Sequence, residues 1–438
     1  MSNIKPLPRQ LAFQEAEFGM FCHFGPNTFL DQEWGQGTED PAVVNPTECD
    51  PRQWAQTAKA AGMKYLVITA KHHDGFCNWP TDTTDHSIKA SAYRGGQGDI
   101  VEQVAEACRE TGLLFGVYCS PWDRHDPRYP DPAAYDEVFL AQWRELLTRY
   151  GEVFCCWLDG AGSVGRAYDW DRIIGNIREL QPNACIFNMG EPDYRWVGNE
   201  EGLATDPCWN VLEAAREFED SVFFTQAFRE SLPRWLPAEA PARVRQNWFW
   251  NTYDAPTLKS VERLADMYEK TVGHGCNLAL NCGPDTRGLL PEGDAQRLAE
   301  LGVELHRRWG TPVGTAPTPA VADDRFPLPE REGLSEGEVQ AGVGGEALGE
   351  EEGTEIRFEQ PTEINAAMTQ EDLTEGEHVR EYYLQAMILG RWESVYEGTA
   401  MGHKKLDHFP TVKAEAARVV VSKEDGKAKV RGMKVFRQ

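Results

Sequence analysis

The residues of this chain that could do chemistry are histidines, aromatic rings and carboxylates standing where predicted strands end. The sequence has no Ser-His-Asp order and no cysteine beside a candidate base. Aromatic faces stack on sugar rings, histidines bind hydroxyl groups, and a pair of carboxylates can cleave a glycosidic bond. The set therefore indicates a carbohydrate site. Its members are His23, His72, His73, Tyr118 and Asp159, with Trp34, Trp122 and Trp157 nearby in the sequence.

The first candidate carboxylate is Asp159, which directly follows an apolar strand and precedes a glycine that would let a ligand approach the backbone. An aspartate at a strand end can also simply begin a loop or cap a helix. The second carboxylate should come from a different loop. Four acidic residues between positions 190 and 202 are candidates, and composition does not choose among them: Glu191, Asp193, Glu200 and Glu201.

The histidine pair follows an apolar, β-branched run that begins at Tyr65 and is typical of a strand buried on both faces. His72 and His73 could also be core residues with satisfied hydrogen bonds, or metal ligands. A metal is disfavoured because neighbouring strand residues point to opposite faces, so both rings would not reach one ion. The sequence also lacks a His-x-His or His-Glu-x-x-His spacing. We therefore predict an active site without metal or cofactor.

The elements that must position these residues alternate between strands and helices at short intervals, which predicts an α/β fold with a parallel sheet. The pattern fits a (β/α)8-like TIM barrel, in which catalytic groups sit at the C-terminal ends of the strands. A doubly wound sheet is the rival fold, but no Gly-rich phosphate loop follows the first strand. The predicted strands begin near Phe18, Tyr65, Leu113, Val153 and Ala184, with later candidates at 222–225, 247–250 and 277–281.

The composition divides the chain into three predicted segments. Residues 1–310 form the catalytic barrel, residues 311–355 a Pro-rich and then acidic linker, and residues 356–438 a small C-terminal β-sandwich of short alternating strands. The net charge of −26 argues against a nucleic-acid partner, because phosphates need Lys and Arg opposite them. No stretch is apolar enough to predict a membrane span, and no secretory signal is recognisable. The odd number of 11 cysteines favours a reduced, cytoplasmic location.

Five blocks occur in an order that resembles the α-L-fucosidases of glycoside hydrolase family 29. They are Phe18–Gly25 (FGMFCHFG), Lys71–Phe76 (KHHDGF), Gly116–Tyr118, Trp157–Gly160 (WLDG) and Asn281–Asp285 (NCGPD). The resemblance implies a retaining exo-glycosidase that removes terminal α-L-fucose from a fucosylated oligosaccharide or glycoconjugate by double displacement. It implies Asp159 as the nucleophile. The residues that it implies for holding fucose are His23, His72, His73, Tyr118 and Trp157, with Glu33 and Trp34 as a further sugar-binding pair.

The segment Tyr194–Glu200 is similar to that of the subgroup that acts on α-1,3/1,4-linked fucose. This similarity implies Glu200 as the acid/base, with Glu201 as the neighbour that could be mistaken for it, and adds Arg195 to the substrate-binding residues. Phe76 and Trp248 are candidates for an apolar pocket around the C5 methyl group. Protonated histidines near Asp159 would favour its ionised form.

Three alternatives remain open from the sequence. The same scaffold could act on another L-sugar such as an α-L-galactoside, or work mainly as a transfucosidase. A protein that binds fucose but has weak or lost catalysis is a second alternative, and the presence of Asp159 among several loop carboxylates weighs against it. A metal-dependent hydrolase is the third. The oligomeric state is open.

Overall fold

We describe a computed structural model of the chain over residues 4–163, 165–212, 232–316 and 355–438. The chain divides into two compact units. The first extends to Arg307, and the second comprises the residues from Arg308 onward except Thr374–Gly376, which belong with the first. Over the described ranges, no helix is both long and apolar enough to cross a membrane.

The first unit is a nearly closed barrel of eight parallel strands, arranged in the order β5-β4-β3-β2-β1-β10-β9-β6. Two further short strands, β7 and β8, pair antiparallel with each other. Over the described residues of this unit, the ten strands are β1 (Phe18–Cys22), β2 (Tyr65–Lys71), β3 (Leu114–Cys119), β4 (Cys155–Trp157), β5 (Cys185–Phe187), β6 (Arg195–Trp196), β7 (Val211–Leu212), β8 (Arg234–Trp235), β9 (Ala238–Arg243) and β10 (Asn277–Asn281).

The barrel comes closest to closing between β5 and β6. The backbone N–H of Asn188 donates to the Tyr194 carbonyl oxygen over 3.0 Å, and Phe187 and Tyr194 form a parallel bridge. The interior is filled by aromatic rings that include Phe21, Tyr65 and Trp157. The eight strands of the barrel are parallel, so their C-terminal ends gather at one edge and bring together side chains that are distant in sequence.

Helices cover the outside of the barrel, and four of them begin at a capping aspartate. Asp50, Asp99, Asp131 and Asp169 each accept a hydrogen bond from a backbone N–H in the first turn of the following helix. The helices are α1 (Pro8–Ala16), α2 (Pro26–Leu30), α3 (Pro51–Ala60), α4 (Ile100–Thr111), α5 (Pro132–Arg149), α6 (Trp170–Leu180), α7 (Val261–Thr271) and α8 (Glu292–Trp309). The predicted (β/α)8-like barrel is confirmed.

Two sequence predictions within the barrel are wrong. Residues 190–202, predicted to be a loop, contain β6, which follows β5 with no helix between them. Residues 247–250, predicted to be a strand, form irregular structure, and β9 precedes them instead. The sequence of β9, AEAPAR, hides a strand because alanine and glutamate have low strand propensity and Pro241 cannot donate to a ladder. The strand predicted at 222–225 lies outside the described residues.

The second unit is an antiparallel sheet of six strands in the order β11-β16-β12-β15-β13-β14. Its longest strands, β12 and β15, pair with two interruptions of register, and the sheet encloses its own apolar core in a sandwich-like fold. The strands are β11 (Gly314–Thr315), β12 (Glu355–Glu371), β13 (Val379–Ile388), β14 (Arg391–Gly398), β15 (Lys405–Glu424) and β16 (Val430–Phe436). The sandwich prediction is confirmed. Most of the predicted linker, residues 317–354, lies outside the described residues.

Candidate active site

The carboxylate of Asp159 is held at the C-terminal edge of the barrel by three neighbouring groups. The Tyr118 hydroxyl donates a 2.9 Å hydrogen bond to Oδ2, and the backbone N–H of Ala161 donates a 2.9 Å bond to Oδ1. His73 Nε2 lies 3.6 Å from Oδ2. About 24% of the Asp159 side chain is exposed. This carboxylate is therefore fixed in orientation and still open to a ligand.

The rings of His72 and His73 lie side by side, with centroids 4.1 Å apart, and His23 lies 5.7 Å from His72. The expectation that the two neighbouring rings point apart is wrong. β2 ends at Lys71, so the alternation of a strand no longer applies to the two histidines. Among the described residues, no group of three or more His, Cys, Asp or Glu is arranged to hold a metal ion.

Burial controls the protonation of all three histidines. It lowers the pKa of His23 to about 3, and it also lowers the pKa of His72 and of His73. The three imidazoles are therefore neutral near pH 7, so the condition under which they would favour the ionised form of Asp159 by their charge is not met. His23 Nδ1 lies 2.7 Å from Asn281 Oδ1, whereas His72 Nδ1 is buried and has no hydrogen-bond partner within the described ranges.

Trp157 lies in the aromatic floor beneath these histidines. Its indole stacks on Phe187, with centroids 3.7 Å apart, and more loosely on Tyr118 at 5.5 Å. The indole N–H donates a 2.7 Å hydrogen bond to Glu239, a fully buried residue of β9 that sequence reasoning missed. Burial raises the pKa of Glu239 to about 7. No sequence signal identifies this residue, because the sequence of β9 does not predict a strand.

A second carboxyl group, that of Glu200, stands beyond the end of β6. Its Oε2 lies 3.5 Å from an Arg243 guanidinium nitrogen, and that guanidinium covers the Trp248 ring at 5.0 Å. Burial raises the pKa of Glu200; the positive charge of Arg243 opposes the shift, and the negative charge of Asp159 adds to it. The Glu200 side chain is still 46% exposed. The neighbouring Glu201 is exposed as well and takes part in a backbone bridge with Ala242. Sequence reasoning also missed Arg243, at the end of β9.

Glu33 and Trp34 belong to the loop after α2 and play different structural parts. Both Glu33 oxygens accept backbone hydrogen bonds, from Trp248 over 2.9 Å and from Phe249 over 3.1 Å. The carboxylate thus ties its loop to the loop of residues 248–249. The Trp34 side chain is half exposed, with its ring edge-on to His73 at 5.3 Å.

The remaining predicted residues divide into those at the cluster and those outside it. The Trp248 ring lies 5.0 Å from His23, and Phe249, which the sequence did not suggest, lies 5.0 Å from His72. Phe76 is buried against His86. The structure does not bring Arg195 into the cluster: its guanidinium donates to the Trp209 carbonyl oxygen over 3.2 Å.

A model of the Alpha-L-fucosidase family matches residues 2–308. Alpha-L-fucosidase 1 of Arabidopsis thaliana is 36% identical over 434 residues, which are 96% of this chain and 85% of the relative. The crystal structure of a glycoside hydrolase 29 family member from an unknown rumen bacterium is 33% identical at a TM-score of 0.81, covering 99% of this chain and 77% of that chain. A Ruminococcus gnavus GH29 fucosidase in complex with fucose is 26% identical at a TM-score of 0.81, covering 100% of this chain and 95% of that chain. The chain belongs to the alpha-L-fucosidase family of glycoside hydrolases.

Proposed function

We propose that this α-L-fucosidase is a retaining enzyme that removes terminal α-1,3/1,4-linked fucose, with Asp159 as nucleophile and Glu200 as acid/base. The observation that carries the proposal is the convergence of Tyr118, Ala161 and His73 on the Asp159 carboxylate. A nucleophile needs a fixed orientation and access for its substrate. The three contacts orient the Asp159 carboxylate, and about 24% of the side chain is exposed, which supports the assignment.

In the first step, Asp159 attacks the anomeric carbon while the bond to the leaving oxygen breaks, and that oxygen takes the proton of Glu200. In the second step, water attacks the same carbon, Glu200 removes its proton, and the bond to Asp159 breaks. Fucose leaves with retained configuration, and both carboxyl groups return to their starting states.

The environment of Glu200 supports its change of role between the two steps. Its pKa is raised by burial and further by the charge of Asp159, so the proton needed in the first step is retained more firmly. Esterification of Asp159 removes that negative charge, and the pKa of Glu200 then falls. Arg243, 3.5 Å away, stabilises the resulting carboxylate, which is the base of the second step.

The three neutral histidines and the surrounding rings supply the groups that a fucose ring requires. A neutral imidazole can donate to one hydroxyl group or accept from another. Trp248 and Phe249 offer apolar surface beside His23 and His72 for the C5 methyl group. The similarity of Tyr194–Glu200 to the α-1,3/1,4 subgroup supports the linkage.

The test is fucose release by the wild type, Asp159→Ala, Glu200→Ala and Glu201→Ala. The substrates are 4-nitrophenyl α-L-fucoside, 2′-fucosyllactose and trisaccharides with α-1,3- or α-1,4-linked fucose. We expect release from the branched trisaccharides, an initial α-anomer by NMR, and activity in Glu201→Ala. Azide should restore turnover in the other two variants, giving β-fucosyl azide with Asp159→Ala and α-fucosyl azide with Glu200→Ala.

Three results would overturn separate parts of the proposal. An initial β-anomer would exclude retention. Preference for 2′-fucosyllactose would exclude the linkage assignment. Loss of activity in Glu201→Ala with azide rescue there, and none in Glu200→Ala, would exchange the roles of the two glutamates.

We further propose that the enzyme works in a reducing compartment such as the cytoplasm. All 11 cysteines are free thiols, and ten of them are buried as small apolar side chains. Fractionation of the source cells, with the fucosidase assayed in each fraction, tests this; recovery of the activity outside the cytoplasmic fraction would contradict it.

A further inference from the structure

A buried carboxyl group lies inside the barrel and takes no part in the proposed reaction. Glu239 is 0% exposed, and its two oxygens accept hydrogen bonds from the Tyr65 hydroxyl over 2.8 Å and from the Trp157 indole over 2.7 Å. Burial raises the pKa of Glu239, the two hydrogen bonds oppose that shift, and no cation among the described residues contributes to it. Glu239 is thus an acidic group in an aromatic interior, held by two neutral donors.

Stability alone is a poor explanation for this group. A carboxyl group removed from water and lacking a cationic partner is costly, and an apolar residue of similar volume is often as stable or more so at such a position. An indole N–H can only donate a hydrogen bond, whereas a tyrosine hydroxyl can donate or accept. Of the two partners, Trp157 is therefore the one that requires an acceptor at this point.

The orientation of Trp157 affects the site on two sides. The indole is sandwiched between Phe187 at 3.7 Å and Tyr118 at 5.5 Å, and the Tyr118 hydroxyl holds Oδ2 of Asp159. About 8% of Trp157 remains exposed. A rotation of the indole would displace both its exposed part and its packing against Tyr118.

We propose that Glu239 is a positioning residue that fixes the indole of Trp157 in the orientation that receives fucose. This inference rests on the proposed place of Trp157 in the fucose site. Glu239 touches neither the sugar nor the reacting carboxylates, and it acts through the hydrogen bond to the indole.

The experiment compares Glu239→Met, Glu239→Gln and Tyr65→Phe in the full chain. KM and kcat are measured with 4-nitrophenyl α-L-fucoside, the inhibition constant with free fucose, and Tm by thermal unfolding. Glu239→Met removes the acceptor, and we expect KM and the fucose inhibition constant to rise about tenfold, with a smaller change in kcat. Glu239→Gln should stay within about twofold of wild type, because its amide oxygen accepts from the indole and its amide nitrogen donates to Tyr65.

Tyr65→Phe is the matched control for a purely structural role. It removes the other partner of Glu239 and leaves the bond to Trp157 in place, so Tm should fall while KM stays unchanged. If Glu239→Met does not fold, Glu239→Asp replaces it, because the shorter side chain withdraws the carboxylate from the indole and should raise KM in the same way. Unchanged KM in a folded Glu239→Met or Glu239→Asp, or an equal rise in Tyr65→Phe, overturns the inference.

Trp157→Phe distinguishes a failure of the role proposed for Glu239 from a failure of the proposed place of Trp157 in the fucose site. If Trp157→Phe leaves the fucose inhibition constant unchanged, then Trp157 does not hold fucose and both statements fall. If Trp157→Phe raises the constant and Glu239→Met does not, only the role of Glu239 fails. In the Trp157→Phe background, adding Glu239→Met should change KM no further.

Discussion

Replacing Tyr118 by phenylalanine tests whether the phenol aligns the nucleophile. The change removes one hydroxyl group, which donates a 2.9 Å hydrogen bond to Asp159 Oδ2, and leaves the buried ring packed against Phe21 and Trp157. A hydrogen bond to a charged group is worth about 1.5–3 kcal/mol. If the bond is needed to reach the transition state, its loss corresponds to a roughly 10- to 150-fold decrease in kcat/KM.

The assay is kcat/KM on 4-nitrophenyl α-L-fucoside, with urea unfolding to check that the variant is folded. Tyr150→Phe is the matched control. The Tyr150 hydroxyl donates a 2.8 Å hydrogen bond to the Asp99 carboxylate at the start of α4. Tyr150→Phe therefore removes the same kind of phenol–carboxylate hydrogen bond away from the site. We expect Tyr150→Phe to lower stability and leave kcat/KM unchanged. A kcat/KM for Tyr118→Phe within twofold of wild type would refute the alignment argument, because the hydrogen bond to Asp159 would then not be needed. A kcat/KM above wild type would also refute it, because the bond would then hold the carboxylate back from reaction.

Three other changes have expected outcomes. Lys71→Met removes the fully buried cation that pairs with the Asp123 carboxylate and should lower the free energy of unfolding in urea by about 3–5 kcal/mol. A loss below 1 kcal/mol would contradict this. Burial raises the pKa of Asp74 to about 7, above its unfolded value, so its contribution to the free energy of unfolding is present below about pH 4 and is lost as pH rises towards 7. Asp74→Asn should abolish this loss when the free energy of unfolding is measured against pH, and parallel curves for the variant and the wild type would refute the assignment. Gly162, whose φ is +71°, is so close to the Trp122 ring that the methyl group of Gly162→Ala would lie 2.0 Å from it, whereas Gly165, whose φ is +78°, has open space around it. We expect kcat/KM of Gly162→Ala to fall well below that of Gly165→Ala, and equal activity in the two variants would contradict a role for the clash.

The parts of the barrel that could be predicted are those whose sequence agrees with their structure locally. β1 to β5 are short apolar runs. α3, α4, α5 and α6 begin at capping aspartates, and α4 ends at Gly112, whose φ is +68°. β6 and β9 could not be predicted in this way. β6 is only two residues long, and β9 contains a proline, a glutamate and three alanines. Neighbouring strands hold these segments in the barrel despite their weak local preference.

The site shows the same division between local pattern and tertiary contact. The block Lys71–Phe76 and the run Trp157–Gly160 mark strand ends by themselves, and they led to His72, His73 and Asp159. Arg243, Phe249 and Glu239 come from segments that carry no recognisable motif. Their place in the site depends on tertiary contacts. Glu239 meets Tyr65 and Trp157, Phe249 lies against His72, and Arg243 lies beside Glu200.

By itself, the sequence determined which kind of barrel this chain forms and which strand ends carry histidines and a carboxylate, because strand and cap patterns depend on neighbouring residues. The tertiary structure decided what those groups can do. Burial in the folded barrel lowers the pKa of His23 to about 3. The folding of distant segments together places the Tyr118 hydroxyl against Asp159, the Arg243 guanidinium beside Glu200 and the Trp157 indole against Glu239. Charge state and hydrogen-bond partners depend on groups brought together from across the chain, and no local pattern encodes them.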